Sequence, residues 1–184
     1  MKNQLQFYKD IHISELKRKS EIDNSINFPT TLLTLLLGGG FYLFRKENID
    51  FTNGNILSYL IILGGIFFLL SIISAIIFLS RMYLNRFRKY KYLPCSLDLM
   101  NRENELYHHF FNFYKETKVK NPKESAIKDA DDEFQKNLLN YYIEFGTHNQ
   151  LVNDGRIKDF YWSRKILILA IIFLAITALL TLLN

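Results

Sequence analysis

Residues 56–80 carry no charge and are dominated by Ile, Leu and Phe over 25 positions. A bilayer core of roughly 30 Å needs about 20 such residues in a helix. The next twelve residues, 81–92, hold five Arg or Lys and four aromatics. Lys and Arg gather where a helix leaves the membrane on its cytoplasmic side, and Tyr sits at headgroup level. This boundary constrains everything else in the chain.

Two further runs match it. Residues 24–44 are 21 uncharged positions with Pro29 in the expected first turn, where a missing N–H costs nothing. Gly38, Gly39 and Gly40 near its far end let a neighbouring helix approach closely. A connector over 45–55 carries Asn53-Gly54 as a turn signal, and Arg45 and Lys46 cancel Glu47 and Asp50. Residues 166–183 form a third run of 18, preceded by Arg164 and Lys165 with Tyr161 and Trp162 as interfacial anchors. Three spans place every basic cluster on one side, with the amino end inside and the carboxyl end outside. The expected fold is therefore an all-α, multi-pass membrane protein. Its parts are an amphipathic helix over 1–23, a transmembrane hairpin over 24–80, a helical cytoplasmic region over 81–165 and a third transmembrane helix over 166–184.

The net charge of +5 would point to nucleic acid in a soluble protein, but here the membrane-flanking clusters account for most of it. The single cysteine, Cys95, excludes an internal disulfide and a cysteine-based zinc site. In the amino-terminal segment, Leu5, Tyr8, Ile11 and Leu16 recur at spacings of three to five, and acidic residues precede the first apolar run, unlike a cleaved signal peptide. The 81–165 region holds 16 Lys or Arg against 12 Asp or Glu. Its periodicity predicts one helix capped by Ser96 and running to about Thr117, with Leu99, Leu106, Phe110 and Phe113 inward. A loop over 119–131 and a second helix from near Asp132 follow, the latter burying Phe134, Leu138, Tyr141, Phe145 and Val152. This soluble part is too small to stand alone, which points to a homo-oligomer.

The apolar runs contain no ionisable residue, which argues against an ion-coupled transporter. Small and hydroxyl residues recur instead: Gly64, Ser71 and Ala75 in the second span, and Ala170, Thr177 and Thr181 in the third. They suit tight helix packing or the wall of a pore. Arg86, Arg88 and Lys89, interleaved with Phe87 and Tyr90, suit phosphate binding or anchoring to anionic lipid. Asn149, Asn153 and Arg156 fall at i, i+4 and i+7 just before the third span. They suit a phosphate site or a subunit interface, or else a solvated face or an inter-helix hydrogen-bond network. Arg102 and His108 match the short R-x5-H pattern of HEPN ribonucleases. Glu105 with His108 or His109, and Glu144 with His148, pair carboxylate with imidazole, but a four-helix metal site needs more carboxylates. There is no phosphate loop, nucleophile elbow or zinc signature. The expectation is a non-enzyme without cofactor or metal.

Several motifs together resemble a known group. They are Tyr8, Glu15-Leu16 and Arg18-Lys19 before a proline-led first span, Tyr92-Leu93-Pro94 after the second, and His148-Asn149, Val152-Asn153-Asp154 and Arg156 before the last. The chain is similar to small three-span membrane effectors of bacterial anti-phage defence operons, of the CBASS-like or Hailong-like kind, paired with a nucleotidyltransferase. The resemblance implies a homo-oligomeric effector or channel in the bacterial inner membrane. It would be gated by a nucleotide or oligonucleotide signal from that partner and would disrupt the membrane to arrest or kill infected cells. The alternatives are a membrane-tethered HEPN-like ribonuclease and an accessory structural subunit.

Overall fold

A computed structural model describes residues 2–46, 56–83 and 89–183. Five helices carry them: α1 (Lys2–Ser25), α2 (Asn27–Lys46), α3 (Ile56–Tyr83), α4 (Ser96–Glu116) and α5 (Pro122–Leu183). No strand occurs among the described residues. Three helical stretches are long and apolar enough to cross a membrane, ending in α2, α3 and α5. The connector turn expected at Asn53-Gly54 lies outside the described residues.

The chain divides into two compact units. The first combines Met1–Arg18 with Lys89–Val152, and the second Lys19–Arg88 with Asn153–Asn184; α1 and α5 contribute to both.

In the first unit the inward stripe of α1 is half-buried at Leu5, Tyr8, Ile11 and Leu16, as the spacing predicts, and fully buried at His12. Gly146 of α5 lies against this stripe. A Cβ there would stand 3.6 Å from Ile11 and 3.8 Å from the His12 backbone. Ser96 is the first residue of α4 rather than its cap. Cys95 takes the cap position in extended backbone, and its carbonyl accepts from the Leu99 amide at 3.1 Å. Leu106 is buried as expected, but Phe113 is 52% exposed. The neighbouring Tyr114 turns inward instead and donates its hydroxyl to Asp129. Helix α4 ends with Lys118 in left-handed backbone, φ 56°. The Val119 amide then reaches the Tyr114 carbonyl and the Lys118 amide reaches that of Lys115, satisfying carbonyls that the helix end would orphan.

The second helix of this region starts at Pro122, ten residues before the expected Asp132. Proline in the first turn loses no hydrogen bond, and the Asn121 carbonyl accepts from the Ser125 amide while its side chain reaches Glu124. Ala126 and Ala130 are its earliest buried positions. The helix then runs unbroken into the third apolar run.

The second unit is built on one apolar core: Leu36 from α2, Phe68, Ile72 and Ala75 from α3, and Leu167 and Ala170 from α5. Glycines set how closely these helices approach. A Cβ on Gly40 would lie 2.6 Å from the Phe68 ring, and one on Gly65 would lie 2.8 Å from the Phe44 ring. Each of the paired helices thus offers a glycine to the other's phenylalanine. Gly64 does the same for α5, since a Cβ there would meet Thr177 Oγ1 at 2.4 Å. The outward residues of α3 are apolar too: Leu69, Leu70, Ile73 and Ile77 are all more than half exposed. Exposed Leu and Ile in such density suit lipid rather than water.

Candidate functional site

The expected polar positions of α5 are buried, and their partners belong to the chain itself. In the first unit, Asn149 is fully buried and grips one residue of the irregular segment after α3. Its Oδ1 accepts from the Lys91 amide and its Nδ2 donates to the Lys91 carbonyl, both at 2.9 Å. Next to it, His148 Nε2 lies 2.7 Å from the Lys89 carbonyl. The Lys91 ammonium meets Glu144 at 2.5 Å and sits over the Phe145 ring. The segment around Lys91 is thereby strapped to α5 through both backbone and side chain. Glu144 and His148 are engaged by this strap and not by each other.

In the second unit, Arg156 is 2% exposed. Its Nε donates to the Met82 carbonyl at 2.9 Å and its Nη2 meets Asp23. Met82 lies in the last described turn of α3. A buried guanidinium therefore ties the last described turn of one apolar helix to α1. Asp159, also buried, stands 3.7 Å from Arg81 in the last turn of α3. Asn153 is fully buried and bonded. Asn149 and Arg156 are thus each engaged by partners within their own unit. Sequence periodicity placed them on one face, but their partners lie 58, 74 and 133 positions away, beyond the reach of any local pattern.

The other candidates divide. Arg86 and Arg88 lie outside the described residues, and Lys89 is exposed. Arg102 and His108 are both exposed on α4. The Arg102 guanidinium is bonded to Glu105 at 3.2 Å, and the His108 ring stands against Tyr107. Arg102 and Glu105 border a cavity of about 370 Å³ between α4 and α5, together with Asp98, Asn137 and Tyr141. The Asn137 Nδ2 is buried there without a partner. Among the described residues no cluster of His, Cys, Asp and Glu is placed to hold a metal ion.

The small and hydroxyl residues are buried to different extents. Thr177 and Ala75 are fully buried, and Gly64, Ser71 and Thr181 are half-buried. Each hydroxyl is satisfied within its own helix: Ser71 on the Phe67 carbonyl, Thr177 on that of Phe173 and Thr181 on that of Ala178, all at 2.8 Å.

Two groups outside the expected set stand out. His12 is 3% exposed with Nδ1 unpartnered, its ring tilted against Tyr142, and burial lowers its pKa below the ordinary imidazole value. The hydrogen bond to Asp129 holds the Tyr114 phenol above its usual value. Sequence periodicity counts only apolar positions, so a histidine in a buried stripe escapes it.

No protein-family model, curated protein or solved structure matches the chain.

Proposed function

We propose that this chain is a homo-oligomeric membrane effector of the channel type, held in the bacterial inner membrane with its amino end inside. The helical region between the second and third spans governs how the spans pack. A nucleotide or oligonucleotide made by a partner nucleotidyltransferase is the signal, and Arg86, Arg88 and Lys89 attract its phosphates. Asn149, Asn153 and Arg156 couple rather than bind.

The observation that carries the reading is Arg156. Polar ties at the foot of an apolar bundle are discrete: they are made or broken, and so they favour two packings over a continuum. A signal that binds one packing more tightly shifts the population by its differential affinity alone. A second reading, a static accessory subunit, draws support from the close fit of Gly64 to Thr177, which leaves that helix pair little room to move.

Membrane potential and dye entry in bacteria expressing the full chain separate the two. The effector reading expects depolarisation, or depolarisation relieved or triggered by the neighbouring nucleotidyltransferase, and expects Arg156→Ala to abolish it at normal membrane levels. An intact potential with and without that partner would overturn it, as would an Arg156→Ala variant that behaves like the parent.

A further inference from the structure

Over residues 3–18, the part of α1 that belongs to the first unit, His12 is the one buried side chain, and Leu5, Tyr8, Ile11 and Leu16 around it are half-buried. Its ring stands 5.8 Å from that of Tyr142 on α5. One turn further along α5, Gly146 lets the two backbones draw close. A single methyl there would already touch Ile11 and the His12 backbone, at 3.6 and 3.8 Å. We propose that this crossing is a pH-sensitive latch, in which neutral His12 holds residues 3–18 of α1 against α5 and its protonation releases them.

The unpartnered ring nitrogen is what makes the crossing sensitive. A neutral imidazole carries one N–H and one lone pair, whereas the charged ring carries a proton on both nitrogens. Nδ1 of His12 is shut off from water, and among the described residues nothing bonds to it. Burying a charge without a partner costs far more than burying the neutral ring. A proton on Nδ1 therefore finds an acceptor only when the two helices part and water enters.

The groups around the ring do not offset that charge. From α5 the titratable side chain against it is Tyr142, a phenol rather than a carboxylate. Glu144 and His148, to either side of Gly146, are taken up by Lys91 and the Lys89 carbonyl. On α1 itself, Tyr8 and Lys9 lie one turn before His12 and Glu15 one turn after. Glu15 is paired with Arg18 at 3.4 Å, and Asp10 accepts from Gln6 at 2.8 Å. Burial accordingly lowers the pKa of His12 below the ordinary imidazole value. The docked helix then binds fewer protons than the released one, so docking is at full strength above about pH 6.5 and weakens as the pH falls below it. The inference goes beyond the effector reading and does not require it, since it needs only the contact between α1 and α5.

Hydrogen–deuterium exchange of the full chain in mild detergent tests it at pH 7.5 and pH 5.5, with rates corrected for the intrinsic pH dependence of amide exchange. Amides of residues 3–18 should open about tenfold more often at pH 5.5, the limit set when the docked ring stays neutral and the released one titrates normally. Helix α4, in the same unit, should keep its protection. His12→Leu should make the opening of α1 equal at the two pH values, and His12→Gln serves as the second variant should leucine not fit the site. Opening in the parent that does not change with pH, or a pH response that survives in a folded His12 variant, would overturn the latch. So would an equal loss of protection in α4, because acid would then unfold the whole unit rather than release one helix.

Discussion

Within the second unit the buried face of α5 changes character along its length. Over Asn153, Arg156, Asp159 and Ser163 it is polar; over Leu167 and Ala170 it is apolar, and it closes on Thr177. The polar half is held by directional bonds to named atoms: the Met82 carbonyl, Asp23 and Arg81. The apolar half is held by shape, with Thr177 filling the space that Gly64 leaves open. The two halves therefore respond to mutation differently. Removing a side chain damages the first, and adding one damages the second.

The largest effect belongs to Arg156→Ala. It strips the Met82 carbonyl and Asp23 of their shared donor, and a buried group left unpaired costs about 1–3 kcal/mol. We expect a loss near the top of that range in thermal unfolding of the purified chain in mild detergent. Arg156→Lys should recover only part of it, because one ammonium lacks the guanidinium's fork. A loss within noise for the alanine variant would erase the distinction between the halves.

These contrasts explain what the sequence made legible. Lipid imposes composition on any segment that crosses it, so α2, α3 and the end of α5 announce themselves as uncharged runs. The stripe of α1 was readable because Leu5, Tyr8, Ile11 and Leu16 repeat at helical spacing. The start of α5 was not. Its early buried positions are Ala126 and Ala130, too small to register as an apolar stripe, and Asn121-Pro122 reads equally well as loop or as helix start. Phe113 misled for the opposite reason: it fits the period of α4, yet the hydrogen bond from Tyr114 to Asp129 wins the inward position. Asn149 and Arg156 were identifiable as polar groups with a purpose, but their partners are fixed by tertiary packing alone.

The second prediction sharpens the shape-held half. Gly64→Ala places a methyl group 2.4 Å from Thr177 Oγ1, and overpacking of this kind costs about 1–3 kcal/mol. Thr177→Ala removes the obstructing oxygen, whose only hydrogen bond described is to its own helix at Phe173. The double variant should therefore regain most of the loss, with a coupling energy of about 1 kcal/mol in a double-mutant cycle. Strict additivity would mean that the helices part rather than interlock, and that the close approach is not selective for glycine.

Ser71 gives the smallest effect on stability and the cleanest test of whether any of this surface lines a pore. Its Oγ donates to the Phe67 carbonyl in the same helix and its side chain is only half-buried, so Ser71→Ala should change stability by less than about 0.5 kcal/mol. Thr177 cannot serve for this purpose, because it is fully buried within one chain and any change there alters packing first. At Ser71 the two roles separate. If the half-exposed hydroxyl faces a water-filled path between copies, Ser71→Leu will lower single-channel conductance in planar bilayers while unfolding temperature and membrane level stay close to the parent's. If instead unfolding temperature falls and conductance per channel does not, Ser71 is one more packing residue. The shape-held half of the bundle then extends to this face of α3 as well.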